Sequence, residues 1–319
     1  MSVRVLLIVS HYLGVRLIDE LLKTGDEIVG VVAGSVRPAT GYWHVPPEYD
    51  VRAKAIESYL PLYEPEPSRL NSPEFLGAIR KTNPDFIVSG YYAKIFGDAL
   101  LAIPPEGCVN LHPARLPEYR GLTPHFTHML LGDDRNYITM HWLDAGVDTG
   151  DIIAWSSIEI RPEETGFETG RRLTEAGMEM LREYWPRVKD GTAPRLKQDE
   201  SRASTFNFSW DIAEIDWTQS ATQIWNLVRT LTRPLGGAWT MVGGRRVHVW
   251  GIEVVDPDGE LAAARTLPGQ VLAVTGRGMW VQCGQGQVRI LDATPDDRPD
   301  TTLFELVAQF GGDMPLLLG

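Results

Sequence analysis

Cysteine and long apolar runs are both scarce in this chain of 319 residues. The two cysteines, Cys108 and Cys283, lie far apart and outside any CxxC pattern, which argues against a disulfide framework and a thiolate metal site. No segment approaches the roughly 20 apolar residues that span a bilayer. The apolar start over 3–9 contains Arg4 and predicts a strand rather than a signal peptide. We therefore expect a soluble, cytoplasmic protein with no membrane partner.

Positive charge is also in short supply. The chain has 30 Lys and Arg against 42 Asp and Glu, which gives a net charge of −12. Beyond residue 200 there is no Lys, and 9 Arg face 13 Asp and Glu. Because binding to phosphates needs clustered positive charge, the composition weighs against nucleic acid as the main partner, although a local basic patch is compatible with an acidic total.

Apolar runs alternate with helical periodicity through the first part of the chain. Strands are predicted over 3–9, 28–32, 61–63, 85–89, 107–111, 138–142 and 152–160, and helices over 12–22, 51–59, 72–81, 96–102 and 165–184. The last helix begins with Thr165 and Glu168, which form a capping-box pattern. This alternation predicts an α/β domain whose mostly parallel sheet is buried on both faces.

The composition changes after Trp185 and Pro186. A polar segment over 191–205 precedes a predicted helix over 224–230 and strand-like sequence over 246–255, 270–274, 279–282 and 287–291. These patterns predict a second, mostly β domain built as a small barrel. We place the two domains at 1–205 and 206–319.

Residues 34–50 interrupt the α/β pattern with a loop rich in Pro, Gly and aromatic residues. Long loops of this kind often bind ligands. Tyr42, Trp43 and Tyr49 suit stacking on a base or a sugar, and packing on the protein is the alternative interpretation. Arg37 is the only Lys or Arg in the loop.

The most informative segment is 109–121, Val-Asn-Leu-His-Pro-Ala-Arg-Leu-Pro-Glu-Tyr-Arg-Gly. Asn110 and His112 are two residues apart at the end of a predicted strand, so both side chains point to the same face. Open α/β sheets bind ligands at the carboxyl ends of their strands. A lone His in this position is more often structural, so the functional interpretation needs a second signal.

That second signal is the loop over 144–151, which is interrupted by glycines and carries Asp144, Asp148 and Asp151. A polar turn is the simpler interpretation of any single Asp in such a loop. Taken with Asn110 and His112, however, a loop carboxylate can orient the imidazole and stabilise its protonated form.

The two segments read N-x-H-P-x-x-L-P-x-Y-R-G and D-x-G-x-D-T-G-D, and together they resemble the formyltransferase family that uses 10-formyltetrahydrofolate. Residues 214–217, 228–240 and 247–255 resemble the C-terminal domain of its longer members. The resemblance implies a Rossmann-like catalytic domain, an OB-like barrel behind it, and no metal.

Carried over motif by motif, the resemblance implies that Asn110, His112 and Asp148 are the catalytic residues. It also implies that backbone groups of two segments hold the pterin of the folate, namely Lys94, Ile95, Phe96, Asp144, Ala145, Gly146, Val147 and Asp148. The chemistry agrees, because a carboxamide and a cationic imidazole stabilise the oxyanion of a tetrahedral intermediate. Asp148 would favour the imidazolium and help to relay the proton of the amine.

Further residues are candidates for substrate binding, each with a structural role as the alternative: His11, Tyr12, Arg115, Tyr119, Arg120, Tyr42 and Trp43. Three other histidines, His125, His128 and His141, lack metal-ligand spacing, and we interpret them as structural. A folate-binding protein without catalysis and a formyltetrahydrofolate hydrolase are the rival functions.

The amine that accepts the formyl group separates the branches of the family. The glycinamide ribonucleotide branch is disfavoured, because its members are shorter and carry a Gly/Ser-rich phosphate loop where this chain has residues 10–14. The initiator-tRNA branch has the right layout, but the loop over 34–50 and the C-terminal domain offer little positive charge.

We therefore favour a small-molecule amine as the acceptor. A nucleotide-linked amino sugar comes first, as in the UDP-aminoarabinose formyltransferase domain, and an amino acid such as hydroxyornithine second. Initiator methionyl-tRNA is the alternative acceptor, and a homodimer is an open option.

Overall fold

The computed structural model of the protein describes residues 2–34, 46–122, 125–255 and 266–296, together with 301, 305 and 317–319. Tyr42 and Trp43, predicted to contact substrate, and Arg37 lie outside the described residues. The N-terminal part contains, in chain order, β1 (Arg4–Val9), α1 (His11–Leu22), β2 (Glu27–Ala33), α2 (Val51–Glu57), β3 (Leu62–Tyr63), α3 (Pro73–Thr82), β4 (Phe86–Gly90), α4 (Asp98–Leu101), β5 (Gly107–His112), α5 (Thr127–Leu131), β6 (Arg135–Trp142), β7 (Ile152–Glu159) and α6 (Gly166–Lys189).

These seven strands form one sheet in the order β3-β2-β1-β4-β5-β6-β7. The first five strands pair in parallel, and β6 and β7 are added antiparallel. The predicted mostly parallel α/β sheet is therefore confirmed. The antiparallel addition of β6 matters for the site, because it places His141 directly opposite Asn110.

The sheet is buried on both faces, as its apolar strands require. Side chains alternate along β1: Val5, Leu7 and Val9 join the apolar cluster that includes α1 and α6, whereas Leu6 and Ile8 join the cluster that includes α3. Burial of each such side chain contributes about 1.5–3 kcal/mol. The two clusters hold the carboxyl ends of β1, β4 and β5 as a fixed frame.

Helix α6 begins as predicted and ends later than predicted. Its capping box between Thr165 and Glu168 is present. The predicted helix ends at residue 184, but the observed helix continues through Pro186 to Lys189. Proline removes one backbone hydrogen bond, and burial of Trp185 and Val188 in the core offsets that loss.

The C-terminal part contains α7 (Ala221–Leu231), β8 (Ala238–Val242), β9 (Arg245–Val255), β10 (Val271–Thr275), β11 (Gly278–Gln282) and β12 (Gln287–Pro295). The five strands form a separate antiparallel sheet in the order β10-β11-β12-β9-β8, which confirms a β-rich second unit. Strands β8 and β10 are its edges, and the chain end links them: Leu318 N donates to Gly269 O, and Gly319 N donates to Met241 O. The OB-like closure of the barrel stays a prediction.

Two short elements were not predicted, namely α5 and β8. A helix of five residues is too short to show a period in the sequence. Among the described residues, none of the helices combines the length and apolar character that crossing a bilayer requires.

Candidate active site

Asn110 and His112 lie at the carboxyl end of β5, on the same face of the sheet. Their predicted proximity follows from the two-residue repeat of a strand. His112 is buried and Asn110 is half-buried. The antiparallel partner strand β6 adds His141, which pairs with Asn110 in the ladder. Two histidines and an amide therefore meet at one end of β5.

The Asp148 loop folds back onto this group. The carboxylate oxygen Oδ2 of Asp148 lies 3.5 Å from Nδ1 of His112 and accepts a hydrogen bond of 2.9 Å from the backbone N–H of Gly121. Nε2 of His112 donates to the carbonyl oxygen of Tyr119 at 3.0 Å. The Tyr119 carbonyl therefore engages Nε2 of His112, and Nδ1, 3.5 Å from the carboxylate, is the ring nitrogen whose N–H can donate to a ligand.

His141 is fully buried and orients Asn110. Its Nδ1 donates to the carbonyl oxygen of Trp142 at 2.8 Å, so its Nε2 accepts from the amide nitrogen of Asn110 at 3.0 Å. Burial lowers the pKa of His141 to about 4, although the Asp148 carboxylate acts in the opposite direction. His141 is therefore neutral at pH 7, and the tautomer that its two partners require leaves the second amide N–H of Asn110 available.

This arrangement can stabilise a developing negative charge. Preorganised N–H donors in a partly buried site are the usual means of binding an oxyanion. Asn110 supplies a neutral donor whose orientation is fixed, and His112 supplies a donor beside a carboxylate. The three residues predicted as catalytic are therefore close together, and their catalytic role stays a prediction.

The two segments predicted to hold the pterin lie on a common support. Tyr92, Phe96 and Leu143 pack against the same apolar cluster beneath the sheet. Ile95 is 67% exposed and Val147 is 45% exposed, so apolar side chains of both segments are available for contact with a ligand.

Local hydrogen bonds fix the backbone of these segments. The amide of Asn71 donates to the carbonyl oxygen of Ile95 and accepts from the N–H of Gly97. In the other segment, Oδ1 of Asp144 accepts from the N–H of Gly146 at 3.1 Å and from the hydroxyl of Thr149 at 2.5 Å. Fixed backbone groups can bind a planar, polar heterocycle with little loss of conformational entropy.

Two tyrosines predicted to bind substrate lie in different surroundings. Tyr12 donates through its hydroxyl to Glu175 at 3.0 Å and stacks on Tyr49, with ring centroids 5.1 Å apart. Tyr49 is buried, so packing on the protein, the alternative interpretation, describes it. The ring of Tyr119 lies edge-on to His128, with centroids 5.1 Å apart, and its carbonyl oxygen is the one that faces His112.

A second pair of histidines, His11 and His125, lies away from this group, with His125 against Tyr91, the residue that follows β4. The rings of Tyr91 and His125 stack with centroids 5.7 Å apart. Burial lowers the pKa of His11 to about 4, and burial together with the charge of His11 lowers the pKa of His125 to about 3. Both histidines are therefore neutral at pH 7.

The two arginines of the segment 109–121 differ in their surroundings. The guanidinium of Arg115 lies over the ring of Tyr137 at 5.4 Å. Arg120 is buried, and its guanidinium makes two hydrogen bonds to Gln198 and two to Glu200. These contacts are those of a bracing residue, the alternative that the sequence left open for Arg120.

The sequence did not predict a functional role for two residues that contact this site, His141 and Gln198. His141 was interpreted as structural because it lacks metal-ligand spacing, and only the register between β5 and β6 shows that it contacts Asn110. Gln198 lies in the polar segment between the two sheets, where composition gives no functional signal. Within the described part of the chain, no group of three or more His, Cys, Asp or Glu side chains is arranged to hold a metal ion.

Comparison with known proteins gives consistent matches along the chain. The family models described as formyl transferase and as formyl transferase, C-terminal domain, match residues 14–184 and 210–310. The methionyl-tRNA formyltransferase of Geobacter metallireducens is 34% identical over 293 residues, which are 91% of this chain and 90% of that relative.

Two solved structures share the fold. The first is the N-formyltransferase from Helicobacter canadensis in complex with folinic acid and dTDP-3-aminofucose, with a TM-score of 0.63, 14% identity and coverage of 91% of this chain and 99% of that one. The second is HypX from Aquifex aeolicus in complex with tetrahydrofolic acid, with a TM-score of 0.62, 17% identity and coverage of 93% of this chain and 45% of that one.

Proposed function

The chain belongs to the formyl transferase family, and on that premise we propose that it transfers a formyl group from 10-formyltetrahydrofolate to the primary amine of a small molecule. The observation that carries the proposal is the convergence of Asn110, His112 and Asp148, with the Asp148 carboxylate 3.5 Å from Nδ1 of His112.

Each of the three residues has a defined part in the proposed reaction. When the amine attacks the formyl carbon, the formyl oxygen becomes negative, and N–H groups of Asn110 and His112 stabilise it. His141 keeps the Asn110 amide in one orientation. The Asp148 carboxylate faces His112 and assists the transfer of the proton that the attacking nitrogen loses. That proton goes to nitrogen N10 of the folate, whose bond to the formyl carbon breaks as tetrahydrofolate leaves.

The proposed folate site consists of the backbone around Lys94, Ile95 and Phe96 and of the loop over Asp144–Asp148. Support comes from the fixed backbone geometry of both segments and from the two solved structures of the same fold, which are complexes with folinic acid and with tetrahydrofolic acid. The folate supplies the formyl group, and the residues named above hold it and stabilise the charge that develops.

For the acceptor we propose a nucleotide-linked amino sugar, with an amino acid such as hydroxyornithine as the next choice. The net charge of −12 and the single basic residue in the loop over 34–50 support a small molecule, because a nucleic acid needs clustered positive charge. The Helicobacter canadensis enzyme of the same fold is in complex with dTDP-3-aminofucose, and this supports an amino sugar within that class.

A second candidate acceptor is initiator methionyl-tRNA. The specific observation in its favour is the 34% identity to a methionyl-tRNA formyltransferase, which extends over 91% of this chain. The two-domain layout, with domains that we place at 1–205 and 206–319, is also that of the initiator-tRNA branch.

One screen separates these acceptors. Purified protein and 10-formyltetrahydrofolate are incubated with UDP-, GDP- and dTDP-linked amino sugars, with ornithine derivatives and with charged initiator tRNA, and formylated product is measured by mass spectrometry. We expect turnover of an amino sugar. Turnover of the tRNA alone would overturn the small-molecule proposal, and release of formate without any acceptor would indicate a hydrolase.

A further inference from the structure

The segment that joins the two sheets lies along the loop that follows β5. Arg120 N donates to Ser204 O at 2.9 Å, Phe206 N donates to Arg120 O at 3.1 Å, and Phe208 N donates to Leu122 O at 3.1 Å. Backbone hydrogen bonds therefore tie the interdomain segment, residues 196–208, to the loop whose Gly121 holds the Asp148 carboxylate.

The side chain of Gln198 connects this segment to the loop that follows β5 and to the loop over 144–151. Its Oε1 accepts from Nε and Nη2 of Arg120 at 3.1 and 2.7 Å. Its Nε2 donates to the carbonyl oxygens of Asp148 and Gly150, both at 2.8 Å. An amide is needed for this arrangement, because one end must accept from a cation while the other donates to two carbonyls.

The backbone of Asp148 is held in an unusual conformation. Its φ of 53° lies in the left-handed region, which residues other than glycine occupy at a cost and which the surroundings must maintain. The carboxylate is held by the N–H of Gly121, and the carbonyl is held by Gln198. Contacts at both ends of the residue thus fix the direction in which the carboxylate faces His112.

We propose that Gln198 is a positioning residue of the active site, which acts through Asp148. The inference rests on the proposed function, in which Asp148 assists His112. Gln198 raises turnover by holding the Asp148 carboxylate in place, and it contacts neither the folate nor the amine.

The test compares Gln198→Leu, Gln198→Glu and Gln198→Asn with a matched control, Arg202→Gln. Arg202 lies on the same segment and forms an exposed ion pair with Glu118, away from Asp148. Because a displacement of about 1 Å at a catalytic group costs on the order of 10²-fold, we expect Gln198→Leu to lower kcat about 10- to 100-fold. The KM of the acceptor should change less than about threefold, and Arg202→Gln should keep the wild-type kcat.

The other two variants keep the test valid if Gln198→Leu does not fold. Gln198→Glu has the same shape but presents a carboxylate to the two carbonyl oxygens, so it should lose turnover like Gln198→Leu. Gln198→Asn keeps both kinds of group on a shorter side chain, and it should restore part of the turnover. Wild-type kcat in folded Gln198→Glu would overturn the inference.

A double variant shows whether Gln198 acts through Asp148. If it does, Gln198→Leu should have little further effect in an Asp148→Asn background, since the group that it positions is already lost. A further loss of tenfold or more in the double variant would contradict this mechanism. The failure of the proposed function looks different: it would appear as full activity of Asp148→Asn alone, or as no formyl transfer by the wild type.

Discussion

Two pairs of histidines in the α/β unit follow different rules. Each ring nitrogen of His112 and His141 faces an oxygen or nitrogen atom of another residue, as a hydrogen-bond or ion-pair partner. His125 stacks on the ring of Tyr91, and burial lowers the pKa values of His11 and His125 to about 4 and about 3, as it lowers that of His141. The role of a histidine here is determined by the groups facing its ring rather than by its position after a strand, which is the feature that singled out His11 in the sequence.

The largest expected effect separates the two pairs directly. His112→Ala removes a donor to the oxyanion, and Asp148→Asn keeps an acceptor for Gly121 N but removes the charge that faces His112. Loss of one such group typically costs on the order of 10²–10³ in rate, so both variants should lose at least that much kcat in a formyl-transfer assay.

The matched control is His125→Gln, at the histidine that stacks on Tyr91. It should keep kcat within about threefold, because the proposed mechanism assigns His125 no proton and no donor. If folded His125→Gln lost as much kcat as His112→Ala, His125 would also have a part in catalysis, which contradicts the division between the two pairs. Retained turnover in His112→Ala would contradict the assignment of the catalytic residues.

A smaller effect is expected at His141, which accepts from the Asn110 amide and lies 3.7 Å from the Asp148 carboxylate. His141→Phe fills the buried site but removes the acceptor of the Asn110 amide, which is then free to rotate. Steady-state kinetics should show about a tenfold loss of kcat, below the roughly 10²-fold cost of a 1 Å displacement, because the amide stays in place and only its orientation is released.

His141→Gln is the control for this effect. It retains an acceptor within the same strand and should recover part of the lost turnover. Equal kcat for wild type and His141→Phe would mean that the Asn110 amide is held by other contacts.

Much of the fold could be predicted, because the signals are local. The two-residue repeat of β5 is visible in the sequence and places Asn110 and His112 on one face. The capping box of α6 is likewise a short pattern. Strand β8 was missed although its hairpin has a signal: Gly243 and Gly244, both with positive φ, connect the paired residues Val242 and Arg245, as two-residue hairpin turns require.

The rest of the site depends on contacts between distant parts of the chain. His141 meets Asn110 through the register of two antiparallel strands, and no residue pattern in either strand sets that register. Gln198 reaches Asp148 across 50 positions of sequence from a polar segment that looks like an ordinary linker. The resemblance to a family indicated Asp148, but not the conformation that aims it at His112.

The smallest expected effect concerns stability at acid pH and tests whether burial lowers the pKa of His125. The pKa of His125 is lowered to about 3 in the folded protein, against about 6.5 in an unfolded chain, so the unfolded state binds more protons between these values. Stability therefore falls as the pH falls through that window, by about 1–2 kcal/mol between pH 6.5 and 5 for one such histidine.

His125→Phe keeps an aromatic ring against Tyr91 and removes the titrating group. In urea unfolding at both pH values, the variant should lose less stability on acidification than the wild type, whatever its stability at pH 7. Equal losses in the two proteins would show that His125 titrates normally in the folded state, which contradicts the lowering of its pKa by burial.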